Sequence, residues 1–313
     1  DLIKLPLLLK LMTICPLPDL ELEKLFKNLR SSILKIISSS KEVSLKLLQF
    51  QSALALQCFT NEYIYTQTDE DTEILYDLEN IVQINLANGQ QPTPLTLACL
   101  ASYKGLNDHP WCHLLVLPDE LKQLGKRQVS EVKKETVLRC EIPMLSEIKD
   151  DVSSKVRQQY EENPYPRWIS LELPLTARPI VDIAKNLNLK VSDKKIYDCN
   201  TPQILVAGCG TGQHSIGTAA RFRNCNVLAI DLSLRSLAYA KRKTEELGLK
   251  NIEYMQADIL DLEKLDRQFD KLESAGVLHH MKDPIAGWSV LTNCLKPGGL
   301  MKIGLYSELA RQH

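Results

Sequence analysis

Neither sign of charge is in surplus: 38 lysines and arginines stand against 39 aspartates and glutamates, a formal net charge of -1. Neutralising a phosphate backbone needs clustered basic surface and usually a basic isoelectric point, so nucleic acid is not an expected partner. No two cysteines form a C-x-x-C pair. The nine are scattered singly, which reads as reduced, mostly buried thiols and points to the cytoplasm. His109, Cys112 and His113 stand close together but lack a second ligand pair at a recognisable spacing, so no metal is expected and the segment reads as a loop packing on a core. No apolar run reaches the roughly 20 residues that cross a bilayer; DLIKLPLLLKLMTIC is broken by Lys4, Pro6 and Lys10, and no membrane association is expected. An initiating methionine, a basic start and a small-residue cleavage site are missing. No signal peptide is read, and a chain opening at Asp1 reads as an excerpt of a longer one.

What is present is enough apolar material for a core, 44% hydrophobic against 25% charged residues, over 313 residues that favour two structural units. Up to about Ile64 apolar residues recur at helical spacing (Leu22, Leu25, Phe26, Leu29; Ile33, Leu34, Ile36, Ile37; Leu45, Leu47, Leu48), which predicts two or three packed helices. Ser38, Ser39 and Ser40 before Lys41-Glu42 read as a helix start, because a hydroxyl can accept an orphan backbone N–H. Further helices are predicted from Asp71 to a stop at Gly89, and after Pro94. Lys122 to Asp151 is charge-rich and reads as a surface connection. The boundary is placed near residue 150, giving an all-helical domain over 1–150 and a second domain over 151–313. The second opens with a short helix in VSSKVRQQYEENPYPRW. Beyond Trp168, strand-length apolar runs (QILVAG, NVLAID, IEYMQAD, FDKLESAGV, GLMKIGLY) alternate with helical stretches. That alternation predicts an α/β fold with a parallel sheet covered on both faces.

Chemistry enters where Ile204–Ala207, a run suited to a fully buried strand, empties into Gly208-Cys209-Gly210-Thr211-Gly212. Without Cβ atoms such a backbone turns sharply and approaches a ligand closely, and the following helix offers unpaired N–H groups. Gln213 stands where the dinucleotide pattern G-x-G-x-x-G needs its last glycine, which disfavours a nicotinamide oxidoreductase. Asp231 ends the next run, about twenty residues beyond the glycine turn, and its two acceptor oxygens suit the hydroxyls of a ribose. Asp258 follows the third run, placed to accept from the exocyclic amine of an adenine, with Ile259 available to lie against the ring. After the fourth run comes VLHHM, and LKPGG then places Pro297-Gly298-Gly299 as a turn into a fifth strand.

In this order, GCGTG, the two strand-end acids, VLHHM and LKPGG resemble a class I methyltransferase dependent on S-adenosylmethionine, over roughly residues 153–313. YEENPYPRW, GCGTGQHSI and IGLYSELARQH resemble bacterial methyltransferases that often carry tetratricopeptide repeats upstream. The resemblance implies a Rossmann-like sheet, here C-terminally truncated relative to a seven-stranded domain, preceded by the helical domain. It implies S-adenosylmethionine as cofactor: Gly208, Gly210 and Gly212 around its methionine end, Asp231 on the ribose, Leu232 beside the adenine, Asp258 and Ile259 holding the adenine, and Gly276 closing the floor. His279 and His280 are candidates for a proton-accepting role. Tyr160, Tyr165, Arg167 and Trp168 would belong to a lid over cofactor and acceptor. Lys271, inside a strand where the family expects an apolar residue, is read at the strand start with its charge reaching solvent. The expected activity is methyl transfer to a small-molecule or protein acceptor. The alternative is a non-catalytic module that binds S-adenosylmethionine while the helical domain docks a partner.

Overall fold

In the computed structural model, which describes residues 2–39, 45–191 and 194–307, the chain clusters into two units. One runs to Lys134 and includes Pro166–Ser170; the other comprises Glu135–Tyr165 and the chain from Leu171 onward. Among its described residues the first unit is helical and contains no strand. Its helices are α1 (Pro6–Ile14), α2 (Leu20–Ser39), α3 (Leu45–Thr60), α4 (Asp69–Ala87), α5 (Pro94–Leu100) and α6 (Lys122–Gly125), continued by one π turn at Lys126–Ser130 into α7 (Glu131–Glu141), within which the division between units falls. Met12, Phe26, Ile33 and Leu54 form one buried cluster, and Leu34, Leu56, Val82, Leu97 and Leu121 belong to another. α4 is closed at its start by a reciprocal pair: the Asp71 N–H donates to Thr68 Oγ1 at 3.1 Å, and the Thr68 N–H donates to Asp71 Oδ2 at 3.3 Å. Gly89 follows the helix at φ +75°, the left-handed conformation that stops helices. His109 stacks on Trp111 with ring centroids 4.4 Å apart, both buried.

Two local expectations are corrected. Ser38 and Ser39 end α2 instead of preceding a helix, and the start expected at Ser40-Lys41-Glu42 lies outside the described residues. The charge-rich stretch from Lys122 is not a surface connection over its first twenty residues, which are helical from Lys122 to Glu141, with Leu124, Arg127, Gln128, Glu135 and Leu138 buried. Its charges are paired inside: Arg127 donates to the Thr13 carbonyl and to Thr60, and Arg242 Nε donates to Glu135 at 2.8 Å. Among the described residues no helix is long and apolar enough to cross a membrane.

The second unit opens with α8 (Asp151–Glu162), whose first N–H groups are capped by Asp150, and continues through α9 (Val181–Asn186) into a parallel sheet. Its strands are β1 (Gln203–Ala207), β2 (Asn226–Asp231), β3 (Ile252–Gln256), β4 (Phe269–Ala275) and β5 (Leu295–Gly304), in the order β3-β2-β1-β4-β5, connected through α10 (Gln213–Arg221), α11 (Leu234–Glu246) and α12 (Pro284–Asn293). Alternation along the strands feeds two cores. Ile204, Val206, Val227 and Ala229 pack with Leu237 and Ala240, while Leu205, Ala207, Leu228 and Ile230 pack with Leu278 and Leu291. Beside β3, the Leu145 N–H donates to the Gln256 carbonyl and the Gln256 N–H to the Pro143 carbonyl, both at 2.9 Å, so residues 143–145 pair with the last residue of this edge strand.

Lys271 does not reach solvent. It lies within β4 opposite Ile204, 4% exposed, hydrogen-bonded to Glu273 two residues on and 5.1 Å from the Phe222 ring. Residues two apart share a strand face, and this one is the face of Ile204 and Val206, so the burial of one charge calls for the other. Pro297-Gly298-Gly299 does not precede the fifth strand either. Leu295 already pairs with Phe269 and Leu300 with Lys271, so residues 296–299 bulge out of the β4–β5 ladder.

Candidate functional site

β1 pairs with β2 on one side and β4 on the other, so the chain leaves it in opposite directions and a crevice opens beyond its carboxyl end. The glycine loop sits there. Its first two N–H groups, of Gly208 and Cys209, donate to the Ile230 carbonyl, and the next, of Gly210, donates to Asp231 Oδ2 at 2.8 Å. All three glycines have positive φ (+73°, +52° and +90°), but space around them differs. A Cβ on Gly208 would lie 2.2 Å from Val277 Cγ2 and one on Gly212 2.5 Å from Ala240 Cβ, whereas one on Gly210 would meet nothing within 4 Å. Gly208 and Gly212 are there for packing; Gly210 presents bare backbone to open space.

A cleft open to solvent lies at this end of the sheet, about 800 Å³ with its mouth included. It brings together Gly208, Gly210, Asp231, Leu232, Asp258, Ile259, Gly276, His280, Tyr160 and Tyr165 of the residues singled out by sequence. Gly212 and His279 are not among the lining residues. Arg167 belongs to the helical unit, buried and hydrogen-bonded to Glu62, with its guanidinium 4.4 Å from the Phe59 ring centre; neither it nor the buried Trp168 lines the cleft. Sequence reading passed over Ser153 and Val156, which line the wall with Tyr160. The signal was there, since positions 153, 156 and 160 fall on one face of a helix. Ala257, Ala275, Val277 and Met281 complete the lining.

Asp231 accepts from Gly210 N through one oxygen and from Ser233 N, at 3.0 Å, through the other. Burial pushes its carboxyl above the ordinary value, against the pull of these N–H groups. The phenol of Tyr160 is likewise raised by burial and by the neighbouring Asp231. Asp258 is buried and accepts from Leu260 N at 3.0 Å, capping a 3-10 turn over Ile259–Leu265 while facing the cleft. Gly276, at φ +75°, ties the end of β4 to β5 by donating to the Gly304 carbonyl, and a Cβ there would again meet open space. His280 Nε2 lies 3.1 Å from His279 Nε2, and the His279 ring is 4.0 Å from that of Tyr306. Cys209 is no nucleophile at neutral pH, because burial and then Asp231 drive its thiol well above the usual range. Among the described residues no three or more His, Cys, Asp or Glu side chains gather as a metal site.

Residues 204–299 match the family model described as "Methyltransferase domain". An uncharacterized protein of Synechococcus sp. is 37% identical over 111 residues, which are 35% of this chain and 27% of that protein. A probable (S)-tetrahydroprotoberberine N-methyltransferase 2 of Papaver bracteatum is 32% identical over 80 residues, 26% of this chain and 22% of that protein. The chain thus spans about a quarter of the length of these curated relatives. Among solved structures, magnesium protoporphyrin IX methyltransferase of Synechocystis, with bound SAH, aligns over 47% of this chain and 69% of its own at 23% identity and a TM-score of 0.34. The matched segment carries the glycine loop, both strand-end acids, β2 to β4 and nearly all of β1, so this part of the chain is similar to a methyltransferase domain built on a Rossmann-like sheet.

Proposed function

We propose that this chain is a methyltransferase that holds S-adenosylmethionine at the carboxyl end of β1 and transfers its methyl group to a small-molecule or protein acceptor. The observation that carries the reading is bare backbone set beside fixed carboxylates: Gly210 and Gly276 leave open the space a Cβ would take, and Asp231 and Asp258 line the same cleft. A carboxylate offers about four lone-pair sites, and Asp231 spends one per oxygen on backbone, leaving acceptors for two ribose hydroxyls. Asp258 would accept from the adenine amine, Leu232 and Ile259 would lie against the ring, and Gly208 and Gly212 would hold the loop in shape around the methionine end.

The bound donor supplies a methyl group on a positively charged sulfur, already activated for in-line displacement. The protein's part is then to hold the acceptor in line and keep water out, work in which orientation accounts for most of the acceleration. Ser153, Val156, Tyr160 and Tyr165 form the wall for this. His280, reaching the cleft, takes a proton from an acceptor that must lose one, with His279 within hydrogen-bond reach to share it.

Calorimetric titration of S-adenosylhomocysteine tests the reading, beside an Asp231→Ala variant checked for folding by circular dichroism. Binding on the order of micromolar, lost in the variant, is the expected result. A folded wild type that does not bind overturns it.

A further inference from the structure

The two walls of the cleft are fastened to each other at one junction outside it. Helix ends leave orphan groups, N–H at the start and C=O at the finish. Here the end of α8 and the start of α11 satisfy one another. Glu161 Oε1 accepts from the Leu234 N–H and, at 3.3 Å, from the Arg235 N–H. In return Arg235 Nη1 donates to the carbonyls of Glu161 at 3.1 Å and Glu162 at 2.8 Å. Ser233 Oγ bridges the two, accepting from the Ser236 N–H at 3.0 Å and donating to the Tyr160 carbonyl at 3.1 Å. Arg139 stands 3.4 Å from the second oxygen of Glu161. The electronegative end of one helix dipole thus meets the electropositive end of the other, with a carboxylate at the positive end, the favourable arrangement.

Each helix carries one wall. Ser153, Val156 and Tyr160 line the cleft from α8, and Asp231 and Leu232 line it just ahead of α11. We infer that Glu161 is a positioning residue for the donor: by tying α8 to the Asp231–Arg235 segment, it sets the width of the cleft and couples donor binding to the docking of α8. This rests on the donor reading above. A ligand that touches both walls closes the junction, and whatever binds only the closed form stabilises it by mass action.

The test uses the whole chain with Glu161→Ala, Glu161→Gln and Arg235→Ala, reading S-adenosylhomocysteine affinity by calorimetry and hydrogen exchange of the α8 amides with and without ligand. Expected are slowed α8 exchange in the ligated wild type and a loss of affinity of tenfold or more in Glu161→Ala and Arg235→Ala. Glu161→Gln, whose amide oxygen still accepts both N–H groups, stays within a few-fold of wild type. Thermal midpoints separate this from general unfolding, and if Glu161→Ala does not fold, Arg235→Ala carries the comparison. Wild-type affinity in both truncations alongside accelerated α8 exchange overturns the inference, because the walls then act independently. A wild type that binds no S-adenosylhomocysteine sinks the donor reading instead. The junction is then judged by exchange alone: faster α8 exchange with unchanged β1 exchange supports it, and unchanged α8 exchange overturns it.

Discussion

Two alanine substitutions, two residues apart, separate a glycine that faces the open cleft from one that packs against α11. At Gly212 φ is +90°, and a new Cβ would lie 2.5 Å from Ala240 Cβ and 3.1 Å from Ala240 Cα, both fixed in the middle of α11. The left-handed conformation costs a residue with a Cβ about 1–2 kcal/mol, and forcing a methyl into a packed contact typically about 1–3 kcal/mol more. Gly212→Ala is therefore expected to lose about 2–5 kcal/mol, a large part of an ordinary domain's stability. At Gly210 φ is +52° and the added methyl meets no protein atom within 4 Å, so Gly210→Ala loses only about the 1–2 kcal/mol of the backbone conformation. Its methyl instead takes open space where the loop faces the cleft. Urea denaturation reads the stabilities, and calorimetric titration with S-adenosylhomocysteine reads the site. Gly212→Ala should be the unstable variant, with near wild-type affinity in its folded fraction; Gly210→Ala should be the stable variant that binds poorly. Equal stabilities, or unimpaired binding by Gly210→Ala, would refute the reasoning.

Lys271→Met leaves Glu273 buried without its cation, which for such pairs is destabilising by about 3–5 kcal/mol, whereas Lys271→Met combined with Glu273→Met removes both charges and should lose less; urea denaturation that finds the single variant neutral contradicts the pairing. In the helical unit, burial lowers His109 from 6.5 to about 4, with Lys104 adding to it and Glu79, 3.6 Å away, failing to offset it. A histidine held neutral by the fold contributes its stability above the unfolded value of 6.5 and loses it as pH falls toward the folded one. That gap is worth about 3 kcal/mol across pH 6.5 to 4. Denaturation midpoints should fall over that window in wild type and stay flatter in His109→Phe, which keeps the stacking on Trp111.

How much was legible in the sequence follows from how local each signal is. Strand-length apolar runs, the glycines that follow β1 and the acids that end or follow β2 and β3 are written in consecutive residues, because a buried parallel strand needs an unbroken apolar run and a sharp turn needs glycine. The order of those five segments was enough to read a parallel sheet and most of the residues that line the cleft at its carboxyl edge. Tertiary structure alone decided the rest, each time because a partner distant in sequence sets the outcome. Lys271 looked destined for solvent, yet buried Glu273 accepts from it, and Thr218 and the half-buried His214 meet the other oxygen of Glu273. The charges after Lys122 looked like loop, yet Arg127 and Glu135 find buried partners at Thr60 and Arg242. Which glycine faces the open cleft and which is packed against Val277 or α11 depends on where Val277 and Ala240 arrive. The bulge at Pro297-Gly298-Gly299 depends on the register that β4 imposes on β5, and the reciprocal capping by Glu161 and Arg235 exists only once two helices more than seventy residues apart meet end to end.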